Sequence, residues 1–257
     1  MADLADDLAL AEEAARTAGE VLLSYFRGPL EEVESKSTAT DLVTEADRDA
    51  ERLIVELLQV ERPDDGLLGE EGSERPGASG RRWVVDPLDG TVNFFYGHPQ
   101  WCVSVGLEDS EGVLVGVVLD PVRGEAFRAT RGGGAFVGAT PIRMREEVGL
   151  EQAMIATGFA YSAELRAQQA ELLRRALPRV RDIRRGGAAA LDLAWLAAGR
   201  FDGYYERGLN PWDWAAGSLL VREAGGAVAR PEGEPAGLAA ARPELLGALV
   251  GLLNSGQ

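Results

Sequence analysis

Cysteine and histidine are almost absent from this chain of 257 residues: Cys102 and His98 are the only ones. One thiol allows no internal disulfide and no thiolate cluster for zinc or an iron–sulfur centre. One imidazole excludes a His-rich zinc site, Ser-His-Asp chemistry built on several histidines and the usual dehydrogenase acid. Positive charge is scarce as well, with 26 Lys and Arg against 42 Asp and Glu and a formal net charge of -16. A nucleic-acid surface needs a basic patch with counterions to release, so none is expected. No apolar run approaches the roughly 20 residues that cross a bilayer. The acidic start Met1-Ala2-Asp3-Leu4-Ala5-Asp6-Asp7 is the opposite of a signal-peptide leader. These absences predict a cytoplasmic protein with no membrane partner, whose electrostatics favour cations and whose metal chemistry rests on carboxylates.

The apolar content, 46% of residues, suffices for a substantial core. Leu4, Leu8, Ala11, Ala15, Ala18, Leu22 and Phe26 recur at helical spacing before Gly28-Pro29, which predicts a long amphipathic helix over 3–26. A second helix is expected from Thr44, its candidate cap, to Arg62-Pro63, with a polar loop over 34–41 between the two. From 83 to 142 the pattern changes to short β-branched runs (Trp83–Val85, Val103–Leu107, Val113–Leu119, Glu125–Thr130, Ala135–Val137) broken by Gly, Pro and Asp, which predicts a meandering sheet. A strand at Ala153–Thr157 follows, then helices at about 163–176 and 188–198, a strand at Gly203–Tyr205, and helices at about 212–224 and 243–253. Helices that flank and interrupt the sheet predict a layered α+β sandwich rather than a regular βαβ winding.

The richest chemistry sits in Asp86-Pro87-Leu88-Asp89-Gly90-Thr91, directly after the apolar run Trp83-Val84-Val85. Two carboxylates and the Leu88 carbonyl bracket one turn and can face one point, which suits a hard cation such as Mg²⁺ or Ca²⁺. Gly90 lets an anion approach the backbone, and the amides of a following helical turn would face it. Taken singly, an Asp here reads as a strand-end turn or a helix cap. Three further segments each set a carboxylate beside a turn or helix start: Asp41-Leu42-Val43-Thr44-Glu45-Ala46-Asp47, Gly69-Glu70-Glu71-Gly72 and Asn210-Pro211-Trp212-Asp213-Trp214-Ala215-Ala216-Gly217. Other motifs have plain explanations. Arg131-Gly132-Gly133-Gly134-Ala135 lies between β-like runs and reads as a hairpin turn. Cys102 reads as core, and His98, before Pro99, as a positioned structural residue that lies close enough in sequence to Thr91 to rim the site.

Together the four acidic segments, in this order and spacing from about Ala9 to Gly226, resemble the inositol monophosphatase family. This is a branch of the lithium-sensitive, Mg²⁺-dependent sugar phosphatases that also holds fructose-1,6-bisphosphatases. The resemblance implies an αβαβα sandwich: a single domain over 1–257, whose N-terminal half to about 145 carries most metal ligands and whose C-terminal half carries Asp213 and the sugar pocket. It implies that Glu70, Asp86 and the Leu88 carbonyl bind one Mg²⁺, and that Asp86, Asp89 and Asp213 bind a second. Glu71 would help hold water around a third, looser ion. Mn²⁺ could substitute, and Li⁺ and Ca²⁺ would inhibit. Asp47, Thr91 and Glu70 would be the catalytic residues, Asp47 and Thr91 orienting and deprotonating the attacking water; the plain alternative for Asp47 is an exposed first-turn residue. Asp89, Gly90, Thr91 and Asp213 would surround the phosphate, with Gly187, Ala188, Ala189 and Glu206 toward the sugar and Lys36 on a mobile loop. The sequence departs from animal relatives at Gly186-Gly187-Ala188, where Val-Gly-Thr is common, and at Asn210-Pro211.

The implied activity is Mg²⁺-dependent hydrolysis of a small phosphorylated polyol or sugar, foremost inositol 1-phosphate, by in-line attack of metal-activated water. Alternatives are a fructose-1,6-bisphosphatase, a phosphatase of NADP or 3′-phosphoadenosine 5′-phosphate, or a non-catalytic or moonlighting regulatory protein on the same fold. A homodimer is implied by the resemblance. The basic stretch Arg174, Arg175, Arg179, Arg181, Arg184 and Arg185 reads as helix-end charges and interface ion pairs. A sharper reading has Arg184 or Arg185 meeting a second phosphate.

Overall fold

The computed structural model describes residues 4–26, 33–35 and 42–254. The first helix, α1 (Leu4–Phe26), buries Leu10, Ala11, Ala14, Ala15, Ala18 and Leu22 along one face, as the helical spacing predicted. A ribbon of β1 (Val33–Ser35) and β2 (Leu42–Thr44), antiparallel with Glu34 opposite Val43, leads into α2 (Glu45–Glu61). The polar loop expected over 34–41 is thus in part a strand, because pairing with β2 overrides the local polarity of Glu34 and Ser35. Residues 36–41, Lys36 among them, lie outside the described residues.

The first sheet begins with β3 (Gly66–Gly69), β4 (Glu74–Arg75) and β5 (Arg82–Asp89). After the short helix α3 (Thr91–Phe95) it continues as a meander of β6 (Cys102–Asp109), β7 (Gly112–Asp120), β8 (Glu125–Thr130), β9 (Gly134–Val137) and β10 (Thr140–Pro141). Its order is β10-β9-β8-β7-β6-β5-β3-β4, antiparallel except where β3 runs parallel to β5. The glycines at 132–134 form the β8–β9 hairpin turn, and both backbone amides of Gly132 and Gly134 donate to the Glu223 carboxylate.

The second sheet is built from β11 (Met154–Thr157), α4 (Ala163–Ala176), β12 (Asp182–Arg184), α5 (Ala189–Ala197), β13 (Gly203–Arg207), α6 (Pro211–Glu223), β14 (Ala227–Ala229), β15 (Gly237–Ala241) and α7 (Pro243–Asn254). Its strand order is β12-β11-β13-β15-β14. β12, a short charged edge, and the alanine-rich β14 carry one β-branched residue each, Ile183 and Val228, and β15 none, too little to mark strands in a sequence.

Three apolar clusters separate five layers. One lies between α1 and α2 and a face of the first sheet, and one joins that sheet's other face to α5, α6 and the second sheet. The third packs the second sheet against α7. The result is the expected αβαβα sandwich. The middle helices approach closely at Gly217, where a Cβ would stand 2.6 Å from the Leu193 Cβ. Buried on all sides, α5 is apolar nearly all round, with one exception, Asp192.

Candidate active site

The central strand β5 sets up the site. It is buried from Trp83 to Asp89, so it reads as a continuous run rather than an alternating one. In a regular strand Asp86 and Asp89, three apart, would point to opposite faces. Here Asp86 pairs with Ser104 and Asp89 with Cys102, which leaves one extra residue on β5: a bulge. Pro87 falls within it, where no ladder amide is required. The bulge restores both carboxylates to one cleft. Gly90 then adopts φ +94, and a Cβ on it would stand 2.9 Å from the Gln100 carbonyl, so only glycine makes this turn into α3 without strain.

Glu70, Asp86, Leu88, Asp89, Gly90, Thr91, Gly187, Ala189, Glu206 and Asp213 all line this cleft. Asp47, in the first turn of α2, does not line the cleft but lies fully buried behind Thr91, which does; it is not an exposed first-turn residue. The Thr91 hydroxyl stands 3.1 Å from the Leu88 carbonyl and 3.5 Å from Asp47 Oδ2. With one proton to give, it donates to the nearer carbonyl in this arrangement. Asp86 Oδ1 accepts the Leu88 amide at 3.0 Å. Asp213 is the third residue of α6, where Oδ2 accepts the Asn210 amide at 2.6 Å in a capping box. Glu206 accepts the Tyr204 hydroxyl at 2.6 Å.

Some expected residues lie elsewhere. Ala188 turns into the core, 1% exposed, and does not line the cleft. Glu71 faces a shallow surface hollow with Arg48 and Arg52. Arg184 is exposed and ion-paired with Asp182 at 2.6 Å, whereas Arg185 lines the cleft with its guanidinium 5.9 Å from the Phe159 ring centre. His98 is exposed and outside the cleft. Cys102 is core, as expected, and its thiol also lies 3.6 Å from Asp89 Oδ2.

Charge in the cleft is unbalanced. Burial raises Asp86 well above the usual carboxylate range, reinforced by Glu70, Asp89, Asp213 and Asp47 around it. Burial likewise lifts Asp89 to about 6 against the opposing pull of the Ala190 and Ala189 amides. Asp213 is raised by burial and by Asp89 and Glu70, and Glu206 is pushed up to about 7, chiefly by burial. Two cations line the cleft among the described residues, Arg185 and Arg207, and the latter donates to the carbonyls of Pro235 and Glu232. Crowded carboxylates with so little positive charge are a donor set for hard divalent cations. Among the described residues no three of them already converge on a single point. Asp89 and Asp213 instead direct oxygens to backbone amides.

Two contributors carry no sequence signal. Asp192, 1% exposed in the first turns of α5, is raised well above the usual carboxylate range by burial and by Asp89 and Glu206. Asn93 donates through Nδ2 to the carbonyls of Gln100 (2.7 Å) and Gly186 (3.0 Å), tying the turn after β5 to the glycine loop before α5. Only long-range contact reveals either.

A model of the inositol monophosphatase family matches residues 3–254. The chain is 40% identical over 248 residues to the inositol-1-monophosphatase of Synechocystis sp., covering 93% of this chain and 84% of that protein. It is 44% identical over 218 residues to the Nus factor SuhB of Xylella fastidiosa, covering 84% and 78%. The crystal structure of the extragenic suppressor protein suhB from Bartonella henselae is similar with a TM-score of 0.92 at 38% identity, covering 98% of this chain and 100% of that one. The molecule is therefore a phosphatase of small phosphorylated substrates. The chain belongs to the inositol monophosphatase family, whose phosphatases are generally metal-dependent.

Proposed function

We propose that the chain is a Mg²⁺-dependent phosphomonoesterase that hydrolyses a small phosphorylated polyol or sugar, inositol 1-phosphate foremost. The observation that carries this reading is the bulge in β5, which turns Asp86 and Asp89 into the cleft that Glu70 and Asp213 also line. Glu70, Asp86 and the Leu88 carbonyl would hold one ion, and Asp86, Asp89 and Asp213 a second, with Asp86 shared. Such a pair lowers the pKa of an attacking water and stabilises the leaving oxygen. The chain's own groups do the rest. The amides of Gly90 and Thr91 hold the phosphate, and Asp47 takes a proton that Thr91 Oγ1 relays. Glu206, steadied by Tyr204, accepts hydrogen bonds from the polyol, beside Gly187 and Ala189.

Phosphate release is the test, over a panel of inositol 1-phosphate, fructose 1,6-bisphosphate, NADP and 3′-phosphoadenosine 5′-phosphate. Each is assayed with Mg²⁺, without it, and with Li⁺ or Ca²⁺ added. The expected result is Mg²⁺-dependent release, inhibited by Li⁺ and Ca²⁺; failure to turn over any ester sinks the proposal. Arg185 in the cleft supports a second reading within the same chemistry, an ester with a second phosphate. A purely regulatory role is disfavoured because Asp47, Glu70, Asp86, Asp89, Thr91 and Asp213 are all retained.

A further inference from the structure

The first of the two ion sites depends on Glu70, which sits not on a strand or helix but in the tight turn between β3 and β4. That turn is closed by Gly69 N donating to Ser73 O at 2.7 Å and tied to the central strand by Glu70 N donating to Val85 O at 3.2 Å. Two more of its amides point away from the sheet toward α2. Both end on one side chain: Glu51 Oε2 accepts the Glu71 amide at 2.8 Å, and Oε1 accepts the Ser73 amide at 3.1 Å. Glu51 is 3% exposed, a buried carboxylate used entirely as a backbone clamp. It also lies on the same buried face of α2 as Asp47, one helical turn further on.

Gly69 completes the fit. A Cβ at that position would stand 2.5 Å from Glu51 Oε2, so the absence of a side chain is what lets the carboxylate reach the turn.

We propose that Glu51 is a positioning residue for the metal centre: it fixes the Glu70 turn relative to Asp47, so that one helix sets both the ion-binding carboxylate and the group that takes the water's proton. The inference rests on the reading of Glu70 as a Mg²⁺ ligand. Two buried amides left without an acceptor would let the turn reopen toward water, and Glu70 would lose its fixed place.

The experiment is Mg²⁺ titration by calorimetry on purified full-length chain, with Mg²⁺-dependent phosphate release measured alongside. Glu51→Gln and Glu51→Ala should weaken Mg²⁺ binding about tenfold, the scale of losing a group that supports a metal ligand. The half-saturating Mg²⁺ for turnover should rise with it, while kcat at saturating Mg²⁺ changes far less. Gly69→Ala keeps every charge and displaces Glu51 only by contact, so an equal loss there separates geometry from electrostatics. In Glu51→Ala/Gly69→Ala the obstacle has nothing to strike, and binding should be no weaker than in Glu51→Ala alone. Glu56→Gln, on the exposed face of α2, is the control that leaves binding unchanged. Wild-type Mg²⁺ affinity in the Glu51 variants, or fully additive losses in the double variant, overturns the proposal. Because the binding arm is read without substrate, it decides the role of Glu51 even if the choice of ester is wrong.

Discussion

Asp89 Oδ2 accepts the backbone amide of Ala190 at 2.7 Å, so a carboxylate at the end of the first sheet caps a helix of the middle layer. Oδ1 accepts the neighbouring amide of Ala189 at 3.1 Å, and α5 has no capping side chain of its own at Ala188. A residue proposed as a metal ligand therefore also joins two layers.

Asp89→Asn and Asp89→Ala separate these duties. Both remove the charge, so relief of carboxylate repulsion cancels between them, and both should abolish phosphate release. Only Asn keeps an oxygen for the α5 amides. Asp89→Ala should be less stable than Asp89→Asn by about 1 kcal/mol, the usual cost of a lost helix cap, as read from urea denaturation. Equal stabilities would show that the capping contact contributes nothing.

At Asp213 the two roles divide differently. Asp213→Asn retains an oxygen for the Asn210 amide and relieves repulsion from Asp89 and Glu70, so the start of α6 should persist and the melting temperature in chelator should not fall below wild type. Mg²⁺ affinity should fall by about tenfold or more, with loss of turnover. Near-normal rates at saturating Mg²⁺ would contradict its assignment as a ligand.

The helices and the meander were legible because their signals are local: periodic alanines in α1, β-branched runs from Trp83 onward, Gly and Pro at the breaks. The cleft was legible through Asp86, Asp89, Asp213 and Glu70 because a turn and a helix start leave marks in sequence. What stayed hidden is long-range. Glu51 reads as one more charge on an amphipathic helix until the Glu71 and Ser73 amides arrive from 20 and 22 residues away. Asp192 in an apolar helix and the two Asn93 hydrogen bonds depend on the same kind of partner. The strands β14 and β15 leave no mark for another reason: alanine is a poor strand former, and it forms strand here because β15 pairs with β13 on one side and β14 on the other while α7 packs on both.

Carboxyl groups held above their ordinary range give the metal-free protein a particular pH dependence. With Glu206 at about 7 and Asp89 at about 6, the folded state holds protons that the unfolded chain releases near pH ~4. Their contribution is thus complete at low pH and is lost as pH rises through about 6 to 7. In chelator, the melting temperature should fall between about pH 5 and pH 8, and Glu206→Gln should flatten the fall. Mg²⁺ must displace the protons held by its proposed ligands Asp86, Asp89 and Asp213, so its affinity should rise as pH rises through about 6, with proton release seen by calorimetry. A stability that climbs with pH in chelator would contradict this account.

Arg184 and Arg185 are neighbours with opposite surroundings: the first faces solvent in an ion pair with Asp182, the second faces the cleft. Arg184→Ala should leave phosphate release unchanged for every ester. Arg185→Ala should raise KM for fructose 1,6-bisphosphate about tenfold, the loss of one charge-assisted hydrogen bond, while KM for inositol 1-phosphate moves little. Arg185 also lies near Asp192 and Glu206, where its charge opposes their upward shifts. Its removal should therefore raise the apparent pKa of Glu206 and move the acidic limb of the pH–rate profile upward for both esters. A KM change that is equal for the two esters would assign Arg185 to the carboxylates alone, and a selective change would place a second phosphate beside it.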